Sequence, residues 1–190
     1  MVTKKKAESL KIISPLRERD IAKLTAGTKV LISGIVYTAR DAAHRRLVAA
    51  LEKGEELPFD IAGQTIYYMG PSPTRPGRII GSAGPTTSGR MDIFTPRLLA
   101  AGLKGMIGKG PRSAEVREAI GQYKAIYFVT TGGASALLAG AIKQVEPVAY
   151  EDLGAEAILR LQIEDFPAVV ANDIFGSDLY EQGRAKYQRG

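Results

Sequence analysis

The sequence predicts a mixed α/β domain rather than a purely doubly wound parallel sheet, and three observations carry that prediction. Short runs rich in β-branched residues recur at 30–37, 105–108, 125–130 and 168–172. Between several of them the apolar residues fall at helical spacing, as at 38–54 and 113–122. Strand-like stretches also follow one another with no helix between, at 58–70 and again toward 145–163, which adds hairpin-like pairs to the alternation. At 190 residues, 45% apolar and 24% charged, the chain has the material for one substantial buried core.

The elements follow in order. Residues 1–9, with Lys4-Lys5-Lys6, read as a flexible basic tail, and residues 10–190 as one domain. Residues 9–14 (SLKIIS) alternate like a half-exposed strand. Pro15 reads as the first position of a short helix over 16–24 that Ser14 caps. Residues 30–37 form a buried strand. A helix starts at Thr38, with Ala42, Ala43, Leu47, Ala50 and Leu51 on one face and Gly54 ending it. Residues 58–70 (PFDIAGQTIYYMG) read as a strand pair broken at Ala62-Gly63. The proline-rich 71–78 is a short rigid loop within the same domain.

Residues 105–108 form a short strand, and Ser113 caps a helix reaching 122, with Glu115 in its first turn. A strand at 125–130 runs through Thr131-Gly132-Gly133 into a small-residue helix. Its glycine pair fits either an anion-binding turn or close strand–helix packing. Further strands are expected at 145–150, 158–163 and 168–172, before a polar terminus with helical character.

Composition excludes several classes of function. There is no cysteine, which removes disulfides, thiolate metal sites and cysteine nucleophiles together. With His44 as its one histidine, the chain cannot assemble a zinc or histidine-rich iron site, so no metal ligands are expected. No apolar run approaches the length of a membrane span, and no apolar stretch follows the basic start, so the expected compartment is the cytoplasm. The net charge of +6 favours anions in general. The tyrosines sit in apolar, strand-like runs rather than among the basic residues, which argues against nucleic acid.

The chemistry concentrates at 79–109. There a loop with Gly81, Gly84, Pro85, Thr86, Thr87, Ser88 and Gly89 closes on Arg90 and precedes a helical pattern with Leu98, Leu99 and Leu103. Loop amides, a helix start, hydroxyls and a guanidinium together suit a carboxylate or phosphate, and Lys109 in its own glycine-flanked turn adds a cation. An ordinary capped tight loop has the same composition. The spacing fits neither the P-loop nor the dinucleotide fingerprint. Arg40, near a helix start where cations are disfavoured, requires an anion or carboxylate nearby. His44, four residues on, reads first as a surface or partly packed histidine and second as a site residue.

Six motifs bear on this: TARDAAH at 38–44, YMGP at 68–71, GSAGPTTSGRMD at 81–92, TPRLLAAGL at 95–103, MIGKG at 106–110 and VTTGGASALL at 129–138. In that order, together they resemble the C-terminal domain of the iron–sulfur hydro-lyases, the class I fumarate hydratases and L-tartrate dehydratases. The likeness covers nearly the whole chain. In some organisms that domain is a separate β subunit of about this size.

The resemblance implies a swivelling β/β/α fold with a mixed sheet, making 10–190 a hydro-lyase β-type catalytic domain. It also implies a 4Fe–4S cluster held by cysteines of a partner α subunit, and hence a hetero-oligomer, with a homo-oligomer as the alternative when the chain is alone. By motif, Arg40 and Arg90 clamp a small dicarboxylate and Lys109 adds a point charge. Thr86 is the catalytic residue that takes the C3 proton of malate, and Thr87, Ser88 and Gly89 add hydrogen bonds. The implied reaction is reversible hydration of fumarate to (S)-malate. L-tartrate dehydration and a non-catalytic anion-binding module remain as alternatives, since both substrates carry two carboxylates.

Overall fold

The computed structural model describes residues 9–130 and 135–188. The expected basic tail, apart from Ser9, and the Thr131-Gly132-Gly133 turn lie outside the described residues. Among the described residues seven strands form one mixed sheet in the order β1 (Leu10–Ser14), β2 (Lys29–Thr38), β3 (Thr65–Tyr67), β4 (Gly105–Gly108), β5 (Ile126–Val129), β7 (Ile158–Asn172), β6 (Ile142–Ala149). β2 to β5 are parallel neighbours, whereas β7 runs antiparallel to β5, β6 and β2. The β2–β7 pairing closes β2, β3, β4, β5 and β7 into a ring of hydrogen-bonded neighbours, so these strands keep few free edges.

Alternation along the strands divides the core in two. Tyr67, Ile107 and Phe128 join Val36, Leu161 and Phe166 in one cluster fed by every strand of the ring. Ile66, Met106 and Tyr127 point the other way, toward three helices: α2 (Asp41–Lys53), α3 (Thr95–Ala100) and α4 (Ala114–Gln122). Ala43 and Leu47, Leu98 and Leu99, and Val116 and Ile120 bury these helices against the sheet. The remaining helices are α1 (Glu18–Ile21), α5 (Ser135–Gly140) and α6 (Leu179–Tyr187). The result is the expected single α/β domain with a mixed sheet.

Several local expectations are corrected. The helix after Pro15 shrinks to Glu18–Ile21 with Arg17 before it, because Ser14 belongs to β1 and donates its hydroxyl to Thr65 Oγ1 at 3.1 Å instead of capping. The helix expected from Thr38 starts at Asp41. Thr38 is held in the strand by its hydroxyl, which donates to the Ala157 carbonyl at 3.1 Å and accepts the Leu159 amide at 2.9 Å. Of the strand pair at 58–70 only Thr65–Tyr67 forms. Before it Asp60 accepts the Ala62 amide at 3.0 Å in a turn, and Phe59 stacks on Tyr37 with ring centres 4.0 Å apart. The stretches at 158–163 and 168–172 are one strand of 15 residues, continuous past Asp165 at φ 47°. Gly54 ends α2 in the left-handed conformation, as the sequence implies.

Candidate active site

Three parallel strands deliver polar groups just beyond their carboxyl ends, the end at which parallel α/β sheets, open or closed, bind ligands. Arg40 follows β2, Tyr68 follows β3 and Lys109 follows β4. The Tyr68 carbonyl accepts the Thr86 amide at 2.6 Å and thereby ties the GPTTSGR loop to this edge. The loop is clasped to the Lys109 turn in both directions. Ser88 N–H donates to the Lys109 carbonyl at 2.8 Å, and Lys109 N–H donates to Ser88 Oγ at 3.1 Å. Thr87 and Lys109 form a parallel bridge beside that clasp. Gly108 is required here, because a methyl at its Cα would lie 2.0 Å from Ser88 Oγ.

The loop therefore enters a 3-10 turn, Ser88–Met91, and reaches α3 only at Thr95. The amides of Thr86 and Ser88 are already used by the backbone, so the cradle of free loop amides is smaller than expected. Ser88 is fully buried, and the Tyr127 hydroxyl lies 2.8 Å from its Oγ. It orders the loop from beneath and does not face solvent. Thr87, Gly89, Arg90 and Lys109 are exposed and Thr86 is half-buried. Neither threonine hydroxyl nor the Lys109 ammonium has a hydrogen-bond or ion-pair partner among the described residues.

Arg40 and Arg90 meet around the first turn of α2. Arg40 caps it with extended backbone, and its Nη2 lies 3.2 Å from Glu156 Oε1. Asp41 accepts Arg90 Nε at 2.8 Å. Glu156 Oε2 accepts the Ala42 amide at 2.9 Å, supplying the helix-start contact that an arginine at the cap cannot. The carboxylate that the position of Arg40 demands thus comes from the chain itself. Three buried atoms of this turn lack partners among the described residues: Arg40 Nε, Asp41 Oδ2 and His44 Nε2. Such orphans are uncommon in folded proteins, and three of the six among the described residues fall in this turn.

His44 is corrected from a surface or partly packed histidine to a fully buried one. Its Nδ1 lies 2.9 Å from the Arg40 carbonyl, and a carbonyl can only accept, so Nδ1 carries the proton and Nε2 is bare. The ring meets Tyr68 edge-on at 5.2 Å. Burial, opposed by the bond to Arg40 and reinforced by the charge of Arg112, lowers its pKa to about 4, and the imidazole is neutral near pH 7.

Sequence reasoning missed Asp41, Glu156, Tyr127 and a buried support built on Arg112. Arg112 donates Nε to Asp92 Oδ1 at 2.7 Å and Nη2 to Thr95 Oγ1 at 2.7 Å, beneath the Tyr68 ring that backs the site. Only the adjacency of Asp41 to Arg40 was visible beforehand, as a charge able to offset it. Hollows of about 390 and 460 Å³ lie elsewhere, the first against Val30, Leu138 and Ala168 and the second against Ile12, Pro15 and Leu24. Among the described residues no group of three or more His, Cys, Asp or Glu could hold a metal ion, and no helix is long and apolar enough to cross a membrane.

Fold and site define an α/β domain with a mixed sheet that gathers cations and hydroxyls at the carboxyl ends of neighbouring parallel strands. The chain belongs to the family described as Fumarase C-terminus, whose model matches residues 2–183. It is 39% identical over 172 residues to "Fumarate hydratase class I, aerobic" of Escherichia coli (strain K12), covering 88% of this chain and 31% of that protein. To "Fumarate hydratase 1, mitochondrial" of Leishmania major it is 39% identical over 166 residues, covering 86% and 30%. To "Putative L(+)-tartrate dehydratase subunit beta" of Methanocaldococcus jannaschii it is 35% identical over 177 residues, covering 90% and 91%. The chain spans under a third of the length of these two fumarate hydratases and nearly all of the tartrate dehydratase relative.

Proposed function

We propose that this chain is the β subunit of a cytoplasmic iron–sulfur hydro-lyase that hydrates fumarate reversibly to (S)-malate with a cluster-bearing α subunit. One observation carries the reading: Arg40, the loop bearing Thr86 and Arg90, and Lys109, from three separate stretches of the sequence, are held at the carboxyl ends of β2, β3 and β4 by contacts to Glu156, Asp41, Tyr68 and Ser88. The donor set does not suit a 4Fe–4S cluster, since the chain has no cysteine. The cluster and the chemistry of the leaving hydroxyl therefore belong to the α subunit, and no step on this chain runs through them.

This chain's own part is to bind, orient and move one proton. Guanidiniums pair with planar carboxylates through two parallel hydrogen bonds, so Arg40 and Arg90 grip the two ends of the diacid and Lys109 adds a point charge. The Thr86 hydroxyl takes the C3 proton of malate in the dehydration direction. A hydroxyl is a poor base unless its alkoxide is stabilised, and the unpaired Lys109 ammonium together with the Arg90 terminal nitrogens supply positive charge for that. Thr87 and Gly89 line the exposed rim beside it, while Ser88 acts from below.

The test is reconstitution of the purified chain with a cysteine-bearing α subunit, iron and sulfide. Fumarate hydration is expected in the mixture and in neither part alone, and Arg90→Ala lowers it about 10²–10³-fold. Full activity after Arg90→Ala removes the clamp. The second reading, L-tartrate dehydration, is supported by the near full-length match to the M. jannaschii relative. Turnover of L-tartrate well above that of malate in the same assay favours it. Dicarboxylate binding with no turnover in any mixture favours a non-catalytic anion-binding module.

A further inference from the structure

Both arginines assigned to the substrate are already held by carboxylates of this chain, and each is held from one side only. Arg90 donates Nε to Asp41 Oδ1 at 2.8 Å, and its two terminal nitrogens have no partner among the described residues. Arg40 turns Nη2 toward Glu156 Oε1 at 3.2 Å, and its Nε is buried without a partner. Glu156 is itself fixed, because its other oxygen accepts the Ala42 amide at 2.9 Å. Asp41 is the first residue of the same helix.

Glu156 serves stability as well, by accepting the Ala42 amide at the start of α2, but stability does not account for the Arg90–Asp41 pair. The Arg90–Asp41 pair is half open to water, with side chains 53% and 24% exposed, and exposed pairs contribute little to folding. Asp41 Oδ2 is meanwhile buried and unpaired, which opposes folding.

We propose that Asp41 and Glu156 are positioning residues for the dicarboxylate clamp. Each takes part of a guanidinium and fixes the long side chain before the ligand arrives, which leaves both terminal nitrogens of Arg90 as a fork for a second carboxylate and Nη1 of Arg40 as a single donor. The rotamer freedom of two arginines is then lost on folding and not on binding. The assignment rests on the dicarboxylate reading above and adds to it two residues that touch no substrate.

Asp41→Asn and Glu156→Gln keep shape and an acceptor oxygen but remove the charge. In the reconstituted enzyme each is expected to raise KM for malate about tenfold with kcat within about twofold, the signature of lost uniform binding. The thermal midpoint stays near that of the wild type, and Asp41→Glu restores part of the KM. Unchanged KM in both variants, or a lower midpoint with fewer active sites at unchanged KM, overturns the proposal. L-malate is titrated into the isolated full chain in parallel. If the mixture is inactive but the chain binds malate, and Asp41→Asn weakens binding about tenfold, the positioning role stands and the hydro-lyase reading falls. Equal binding by wild type and Asp41→Asn overturns the positioning role alone, and no turnover and no binding overturn both.

Discussion

Arg112 and Arg90 each donate Nε to an aspartate at nearly the same distance, 2.7 and 2.8 Å, yet they do different work. The Arg112 side chain has no exposure. Nη2 donates to Thr95, Nη1 reaches the Tyr68 hydroxyl at 3.3 Å, and the guanidinium carbon lies 4.9 Å from the centre of the Tyr127 ring. Its partner Asp92 spends its second oxygen on the Ser113 amide at 2.7 Å. Nothing there is left for a ligand. Arg90 is half exposed with one nitrogen used, and its neighbours Arg40 and Asp41 carry buried atoms without partners among the described residues. The two arginines thus differ in the number of donors still unspent and not in the presence of an ion pair, and under the proposed reading the unspent donors of Arg90 are those that take the ligand.

The largest effect that bears on this contrast is on folding. Arg112→Ala leaves the Asp92 carboxylate without its cation in a buried network and is expected to cost about 3–5 kcal/mol in chemical denaturation. Arg90→Ala costs within about 1 kcal/mol in the same measurement. Equal losses would erase the distinction. Activity reverses the order: Arg90→Ala lowers kcat/KM of the reconstituted enzyme about 10²–10³-fold, read by initial rates of malate dehydration.

A smaller effect probes the clasp that carries Lys109. Gly108→Ala drives a methyl into Ser88 Oγ and is expected to destabilise by about 1–3 kcal/mol. Ser88→Gly in the same background relieves part of that loss if the contact is its cause.

His44 extends the comparison to a group that burial keeps neutral. Its pKa falls from the ordinary 6.5 to about 4, so its contribution is complete above 6.5. As pH drops from 6.5 toward 4 the unfolded chain takes up a proton that the folded chain refuses, and stability declines by up to ~1.4 kcal/mol per pH unit. His44→Gln should flatten that part of the stability–pH curve relative to wild type, and an unchanged curve would contradict a buried neutral imidazole. The smallest expected change is Tyr127→Phe, which removes a hydroxyl shared between Ser88 and the Gly110 carbonyl and costs about 1 kcal/mol.

Where local pattern and tertiary setting agree, the elements were legible in advance. Ser113 caps α4 by accepting the Val116 amide, and β4 and β5 lie within a residue of the expected runs. Thr38 and Ser14 were misread because their hydroxyls answer to Ala157 and Thr65, partners that no local window contains. The same limit applied at the site. The motifs pointed to Arg40, Thr86, Arg90 and Lys109, while Ser88 could not be known to lie beneath the loop and His44 could not be known to be dry.

The linear chain by itself determined its chemical means: guanidiniums, an ammonium and hydroxyls in glycine-rich turns, no thiol to hold a metal, and periodicities that demand a mixed sheet. Only the tertiary structure decided which cations stay unspent. Asp41 reaches Arg90 from 49 residues away, and Glu156 reaches the Ala42 amide from 114. The Glu156 contact is set by closure of β7 on β2 and the Asp41 contact by the loop that Tyr68 and Lys109 hold, long-range pairings that local propensity does not encode, because their stabilisation comes from burying distant segments together.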